Sequence, residues 1–185
     1  MMCSPTTRRR VFWAIVIVSS CVSDTFCGEA RSAEIEDWPR WRGVRGDGSW
    51  QGPSLPDQWP RTGLKLVWKQ PIGGGYSGIS VAGNRVYTMD RQTDPQERER
   101  LLCFSSRDGA LVWSLDIPVH YGDLQYGSGP RSTPTVDDGR VYALGATGIL
   151  VCVDGLTGRR HWSCDLVRDH QGGMPTWGYA ASPLV

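Results

Sequence analysis

Two stretches of this chain can be laid on one another, and that constrains the fold more than any other feature. Leu102 to Ile117 reads LCFSSRDGALVWSLDI, and Val151 to Leu166 reads VCVDGLTGRRHWSCDL. Cys103 aligns with Cys152, Gly109 with Gly158 and Trp113 with Trp162, each pair 49 residues apart. Upstream, VAGNRVY (Val81 to Tyr87) aligns with VDDGRVY (Val136 to Tyr142) at a spacing of 55. The extra six residues fall in DRQTDPQERER (Asp90 to Arg100), which reads as a charged loop longer than its counterpart GATG. SPLV at Ser182 repeats TPTV at Thr133, again 49 residues on, and KLVWKQPI (Lys65 to Ile72) matches only the last part of a repeat.

Within a repeat, apolar residues alternate or run continuously over four short segments, the pattern of strands rather than helices. In the second copy the segments lie near Thr133–Val136, at RVYAL, at ILVCVD and at RRHWSCDL. AGNR and DDGR supply glycine or asparagine for a tight turn between the first two strands. RDGA and LTGR place glycine where the last hairpin needs a left-handed residue. A unit that cannot bury its own faces must stack on its neighbours, and a period of roughly 40–50 residues with four strands describes the blade of a β-propeller. The 23 glycines, 12 prolines and 9 tryptophans suit an all-β, turn-rich chain.

Charge narrows the function. Removing Arg8, Arg9, Arg10, Asp24 and Glu29 of the first thirty residues from 20 basic and 19 acidic side chains leaves 17 of each. A neutral body without basic runs argues against nucleic acid as the partner. The first thirty residues read as an export signal: a basic TTRRR, then VFWAIVIV, shorter than the ~20 apolar residues that cross a bilayer. Three outcomes stay open: cleavage near Gly28-Glu29-Ala30, a lipobox at Val18-Ser19-Ser20-Cys21 that would lipidate Cys21, and a loose twin-arginine pattern. Each puts the mature chain outside the cytoplasm, in the periplasm or cell envelope. Cys103, Cys152 and Cys164 make an odd number in the body, and no C-x-x-C suggests zinc or redox chemistry.

Cys152-x-Asp154-x-x-Thr157-Gly158-x-x-x-Trp162 resembles the tryptophan-docking motif of the PQQ-like (quinoprotein-type) β-propeller family. Cys103…Asp108-Gly109-x-x-x-Trp113 is a degenerate copy, and Trp68 is the tryptophan of an earlier blade. With WPRWRG…GDG, GGGYSGISVAGNRVY and MPTWGYAASPLV, the chain is most similar to exported bacterial proteins, often planctomycete, related to the BamB lipoprotein. The resemblance implies a signal segment at 1–30, an extended Trp/Arg/Pro-rich segment at 31–63 and propeller repeats at 64–185. Within the repeats it implies an outer strand at 64–72, blades at 76–117 and 131–166, and the start of another at 179–185. Because such propellers close with roughly seven or eight blades, the chain is expected to be a truncated product, prone to self-association through open edges.

The docking set Trp68, Trp113, Trp162, Gly109 and Gly158 reads as packing, since catalytic groups seldom recur once per blade. The long connections PVHYGDLQYGSGPRS and VRDHQGGMPTWGYAA should emerge on one face with Asp90–Arg100. They would gather His120, Tyr121, Arg131, His170, Trp177 and Tyr179 at the mouth of the channel. Two functions compete. One is a non-catalytic exported propeller that binds a protein or peptide, as the BamB resemblance implies. The other is a PQQ-dependent alcohol or sugar dehydrogenase, which would need calcium, a base carboxylate and a cation on the quinone, with Arg131 and Trp177 as its cofactor residues. The sequence favours the first: no vicinal Cys-Cys pair and no acid/amide cluster for a metal stand out. The stretch DWPRWRGVRGDGSW (Asp37 to Trp50) reads as a clasp that anchors the N-terminus near the closing blade, lying on the outside or rim of a blade with arginines stacked on tryptophans and Trp41 contributing to stability. Its RGD tripeptide reads as a turn.

Overall fold

A computed structural model describes residues 35–185. The first thirty residues, read above as an export signal, and the lipidation candidate Cys21 lie outside the described residues. The described chain is all-β. Strands β1 (Ser80–Ala82), β2 (Arg85–Gln92), β3 (Arg98–Ser105) and β4 (Leu111–Pro118) form one antiparallel sheet in chain order. Strands β5 (Thr135–Asp137), β6 (Arg140–Leu144), β7 (Ile149–Asp154) and β8 (Arg160–Asp165) form a second of the same plan. The two sheets are successive propeller blades.

The repeat spacing reappears as register. Cys103 lies opposite Tyr87 on β2 and Trp113 on β4, and Cys152 lies opposite Tyr142 on β6 and Trp162 on β8. Both blades have an irregularity at the same place, after Cys103 and after Cys152. Period-2 alternation directs Met89, Leu101, Cys103 and Ile117 of the first sheet against Val141, Ala143, Val151 and Val153 of the second, forming the core between blades. The opposite face of the first sheet buries Val86, Leu102 and Phe104 beneath Trp68. All three cysteines of the described residues are free thiols, and burial pushes Cys103 up to about 11, which makes it unreactive at neutral pH.

The two blades are joined by a repeated contact. Trp68 lies on Gly109 and donates its indole N–H to the carbonyl of Ser106 at 2.9 Å. Trp113 lies on Gly158 and donates to the carbonyl of Gly155 at 3.1 Å. Trp162, at the equivalent position of the second blade, packs on Tyr142 with ring centroids 6.1 Å apart and is 43% exposed. The segment Lys65 to Ile72 forms no ladder among the described residues. Its Leu66 and Val67 face solvent while Trp68 turns inward.

Two readings need correction. Asp90–Arg100 is not one loop: β2 and β3 continue through most of it, leaving only Thr93–Glu97 as the connection. Charged residues hid these strand ends because their charges are paired or buried. Asp90 is fully buried opposite Arg100, which grips it at 2.5 and 2.8 Å while the Gly73 N–H adds a third bond. The N-terminal clasp also sits elsewhere. Trp38 exchanges two backbone hydrogen bonds with Val81 on β1, the Gly83 N–H donates to Asp37, and the Val136 N–H on β5 donates to the carbonyl of Pro39. The segment therefore ties the first strands of both blades. Trp38, packed over Gly43, is its anchor, while Trp41 is 62% exposed. The arginines bond to carbonyls and acids rather than to rings. Arg40 reaches the carbonyls of Gly43 and Val44, and Arg45 forms a bidentate pair with Glu36 at the surface.

Candidate functional site

The connections β2–β3, β4–β5 and the segment after β8 meet on one face. The first two are held together by a part-buried polar knot rather than by secondary structure. Arg91, at the end of β2, places its guanidinium 4.1 Å above the Tyr121 ring, pairs with Glu97 at 2.5 Å and bonds to the carbonyl of Gly127. Glu97 also accepts the Tyr121 N–H at 3.1 Å and lies 3.3 Å from His120 Nδ1. Burial pushes the Glu97 carboxyl up, but Arg91, the Tyr121 N–H and His120 outweigh it, so the group is held low and ionised.

Behind this knot lies Glu99, fully buried. One carboxyl oxygen accepts the Tyr121 hydroxyl at 2.5 Å and the Ala146 N–H of the second blade at 2.9 Å. The other has no partner and faces Gly145 so closely that a Cβ there would lie 2.0 Å from it. Burial raises the Glu99 pKa above the usual carboxylate range against the pull of its hydrogen bonds. The same burial, with Glu99 next, pushes the Tyr121 phenol far up. Glu99 thus fastens the loops of one blade to the next.

On this support stands an open cup of about 340 Å³ lined by Tyr76, Tyr126, Arg131 and Trp177. Its walls come from three segments: Tyr76 precedes β1, Tyr126 and Arg131 lie on the β4–β5 connection, and Trp177 follows β8. Tyr76 is fixed by its N–H to the Pro130 carbonyl at 2.7 Å and its hydroxyl to Ser128 at 3.2 Å. Tyr126 and Trp177 meet edge to face, 6.4 Å between centroids at 76°, and the Trp177 indole N–H donates to Gln125 at 3.2 Å. Arg131 donates to the carbonyls of Gly129, Gln125 and Tyr126 at 2.9, 2.7 and 2.6 Å. A second hollow of about 380 Å³ adjoins it, with His120, Tyr121, Gln125 and Met174 in its wall.

Of the residues singled out from sequence, Arg131 and Trp177 share the cup, while His120 and Tyr121 border the adjoining hollow. Tyr121 is buried (6% exposed), so it supports the face instead of presenting itself. Tyr179 and His170 line neither space. Tyr179 packs over Gly148 and donates its N–H to the Ala146 carbonyl and its hydroxyl to the Gly173 carbonyl. His170 is exposed in the turn after β8. Sequence reading missed Arg91, Glu97, Glu99, Tyr76 and Tyr126. For Glu99 a signal existed: strand parity sets it on the same face as Leu101 and Cys103.

The cup was weighed as a quinone site. Its two facing rings stand nearly perpendicular, so they do not sandwich a flat tricyclic group. Arg131 gives three of its five N–H donors to carbonyls, which leaves two for one carboxylate rather than for the several of a tricarboxylate quinone. Among the described residues no three His, Cys, Asp or Glu side chains come together as metal ligands. The residues of this chain do not by themselves fit PQQ with calcium.

The family model described as outer membrane protein assembly factor BamB matches residues 60–177. Quinohemoprotein alcohol dehydrogenase from Comamonas testosteroni aligns at 18% identity and a TM-score of 0.50, covering 76% of this chain and 21% of its own. BamB from Moraxella catarrhalis aligns at 16% identity and 0.41, covering 64% and 30%. Quinohemoprotein alcohol dehydrogenase ADHIIG from Pseudomonas putida HK5 aligns at 26% identity and 0.45, covering 65% and 17%. The chain spans less than a third of the length of each. Of these three, the Comamonas enzyme alone reaches a TM-score of 0.50, and at its identity it speaks to the fold. No curated protein sequence matches.

Proposed function

The chain belongs to the PQQ-like repeat family whose model is described as outer membrane protein assembly factor BamB, and on that premise we propose that it is a non-catalytic, exported propeller module that binds a protein partner through its loop face. The observation that carries this reading is the construction of that face. The β2–β3 and β4–β5 connections are pinned to one another by the Arg91–Glu97–Tyr121 knot and to the β6–β7 turn by Glu99, and the rings of Tyr76, Tyr126 and Trp177 beside them are exposed. A rigid support with exposed Tyr and Trp loses little side-chain entropy on binding, the property of a recognition surface. A redox site needs a closed cradle for its cofactor, and the open, edge-to-face cup lacks one.

The export signal puts this activity in the periplasm or cell envelope, with Cys21 as a lipid anchor if the lipobox is used. Membrane contact would then run through that lipid alone, and the neutral body gives no grip on nucleic acid. Mass spectrometry of the mature N-terminus decides the anchor. The dehydrogenase reading is tested by titrating the full chain with PQQ and Ca²⁺ while following quinone absorbance and dye reduction with alcohols. No saturable binding and no turnover is the expected result; turnover would overturn the proposal.

A further inference from the structure

We propose that the Tyr76–Tyr126–Arg131–Trp177 cup takes an extended peptide segment of the partner in which proline stands beside a carboxylate; this rests on the protein-binding reading above. The walls argue for the proline. Tyr76, Tyr126 and Trp177 are 55%, 66% and 62% exposed, unusual for three large rings that face one space. Their backbones are fixed. Tyr126 is even held at φ +53, a left-handed conformation that non-glycine residues rarely adopt, with its carbonyl accepting from Arg131. A pre-ordered aromatic groove of this kind suits a polyproline-II segment, which is stiff before binding and presents flat pyrrolidine faces to the rings.

Arg131 argues for the carboxylate. Its recorded partners are the three backbone carbonyls, and among the described residues it has no ion pair with Asp or Glu. The cup therefore presents a guanidinium with no ion-pair partner among the described residues, which disfavours a quaternary ammonium guest and complements an anionic one. The volume of about 340 Å³ is at the small end for ligand pockets and matches a few peptide residues.

The test is anisotropy of a fluorescein-labelled acetyl-Pro-Pro-Leu-Pro-Asp-amide titrated with the full chain, with Trp177→Ala, Trp177→Phe and Arg131→Gln. Saturable binding is expected, weakened about tenfold or more by Trp177→Ala and Arg131→Gln and largely kept by Trp177→Phe, at unchanged thermal melting. Replacing the peptide's Asp by Asn should weaken binding to the parent chain but not to Arg131→Gln. Equal binding to Trp177→Ala overturns the proposal, as does tighter binding of an oligoglucuronate than of the peptide. The chain's own Pro53-Ser54-Leu55-Pro56-Asp57 is exposed and has the same chemistry. A dimer that Trp177→Ala dissolves would make a second copy the occupant and overturn the assignment to a partner. If the peptide fails while a protein still cross-links to this face, the proline–carboxylate chemistry is wrong and the protein-binding reading stands.

Discussion

Trp113 on β4 and Gly158 in the β7–β8 turn approach so closely that a Cβ on the glycine would lie 2.6 Å from the indole ring. Gly158 also has φ +71, so the position excludes other residues twice, by backbone conformation and by the ring above it. The same pair of reasons applies at Gly109 beneath Trp68. This contact makes two four-stranded sheets into neighbouring blades.

Gly158→Ala should lower stability by about 2–4 kcal/mol, of which about 1 is left-handed strain and the rest overpacking against Trp113. Gly139→Ala is the control. Gly139 has φ +70 but nothing within 4 Å of its Cβ position. It should cost about 1 kcal/mol. Urea denaturation followed by circular dichroism measures both.

Glu99 makes stability depend on pH in a defined direction. Its folded pKa lies above the ordinary 4.5, because burial disfavours the charged form. Below that value both states hold the proton and stability from this group is complete. As pH rises from there through the folded pKa, the unfolded chain releases a proton that the folded one retains, and stability falls. Glu99→Gln cannot ionise, so its melting temperature should gain on the parent's as pH rises from 4 to 8. A difference that stays constant with pH would contradict this.

Arg100 compensates a carboxylate that has no access to water. Burial alone would raise Asp90, but the Arg100 and Gly73 hydrogen bonds outweigh it and the net shift is downward. The pair therefore contributes stability above about pH 4, lost as pH falls through the depressed folded pKa. Arg100→Ala would leave Asp90 buried and unpaired and should cost about 3–5 kcal/mol at pH 7, with a smaller penalty in acid. Chemical denaturation at pH 7 and pH 4 measures the difference.

In the N-terminal segment, stability should follow the seat of the ring rather than its place in the sequence. Trp38→Ala removes the ring packed on Gly43 beside the two bonds to Val81 and should cost about 2 kcal/mol or more. Trp41→Ala, at an exposed position, should change stability by about 0.5 kcal/mol or less. Thermal melts of the two variants side by side decide it.

The blade plan was legible because each repeat states it again. The 49-residue interval between Cys103 and Cys152 becomes a shared strand register, and the turn glycines stand at left-handed positions. What stayed hidden depends on contacts between repeats, which a one-dimensional pattern does not carry. Asp90 and Glu99 read as loop charges because burial of an acid is visible only once Arg100, Tyr121 and the next blade's Ala146 N–H are in place. Trp41 and Trp38 look equivalent in a run of tryptophans, and only the bridge to Val81 distinguishes them. The cup was half seen. Arg131 and Trp177 lie in loops marked by length and aromatic content, whereas Tyr76 precedes β1 and carries no repeat signal.

Face-selective photo-crosslinking in intact cell envelopes tests the central claim most directly. A photoreactive phenylalanine analogue at position 126 sits in the cup, and one at position 156 sits in the exposed β7–β8 turn. The account predicts one discrete protein adduct from position 126, competed by the proline–carboxylate peptide, and none from 156. Equal adducts from both positions, or none from 126 together with quinone-dependent dye reduction, would contradict it.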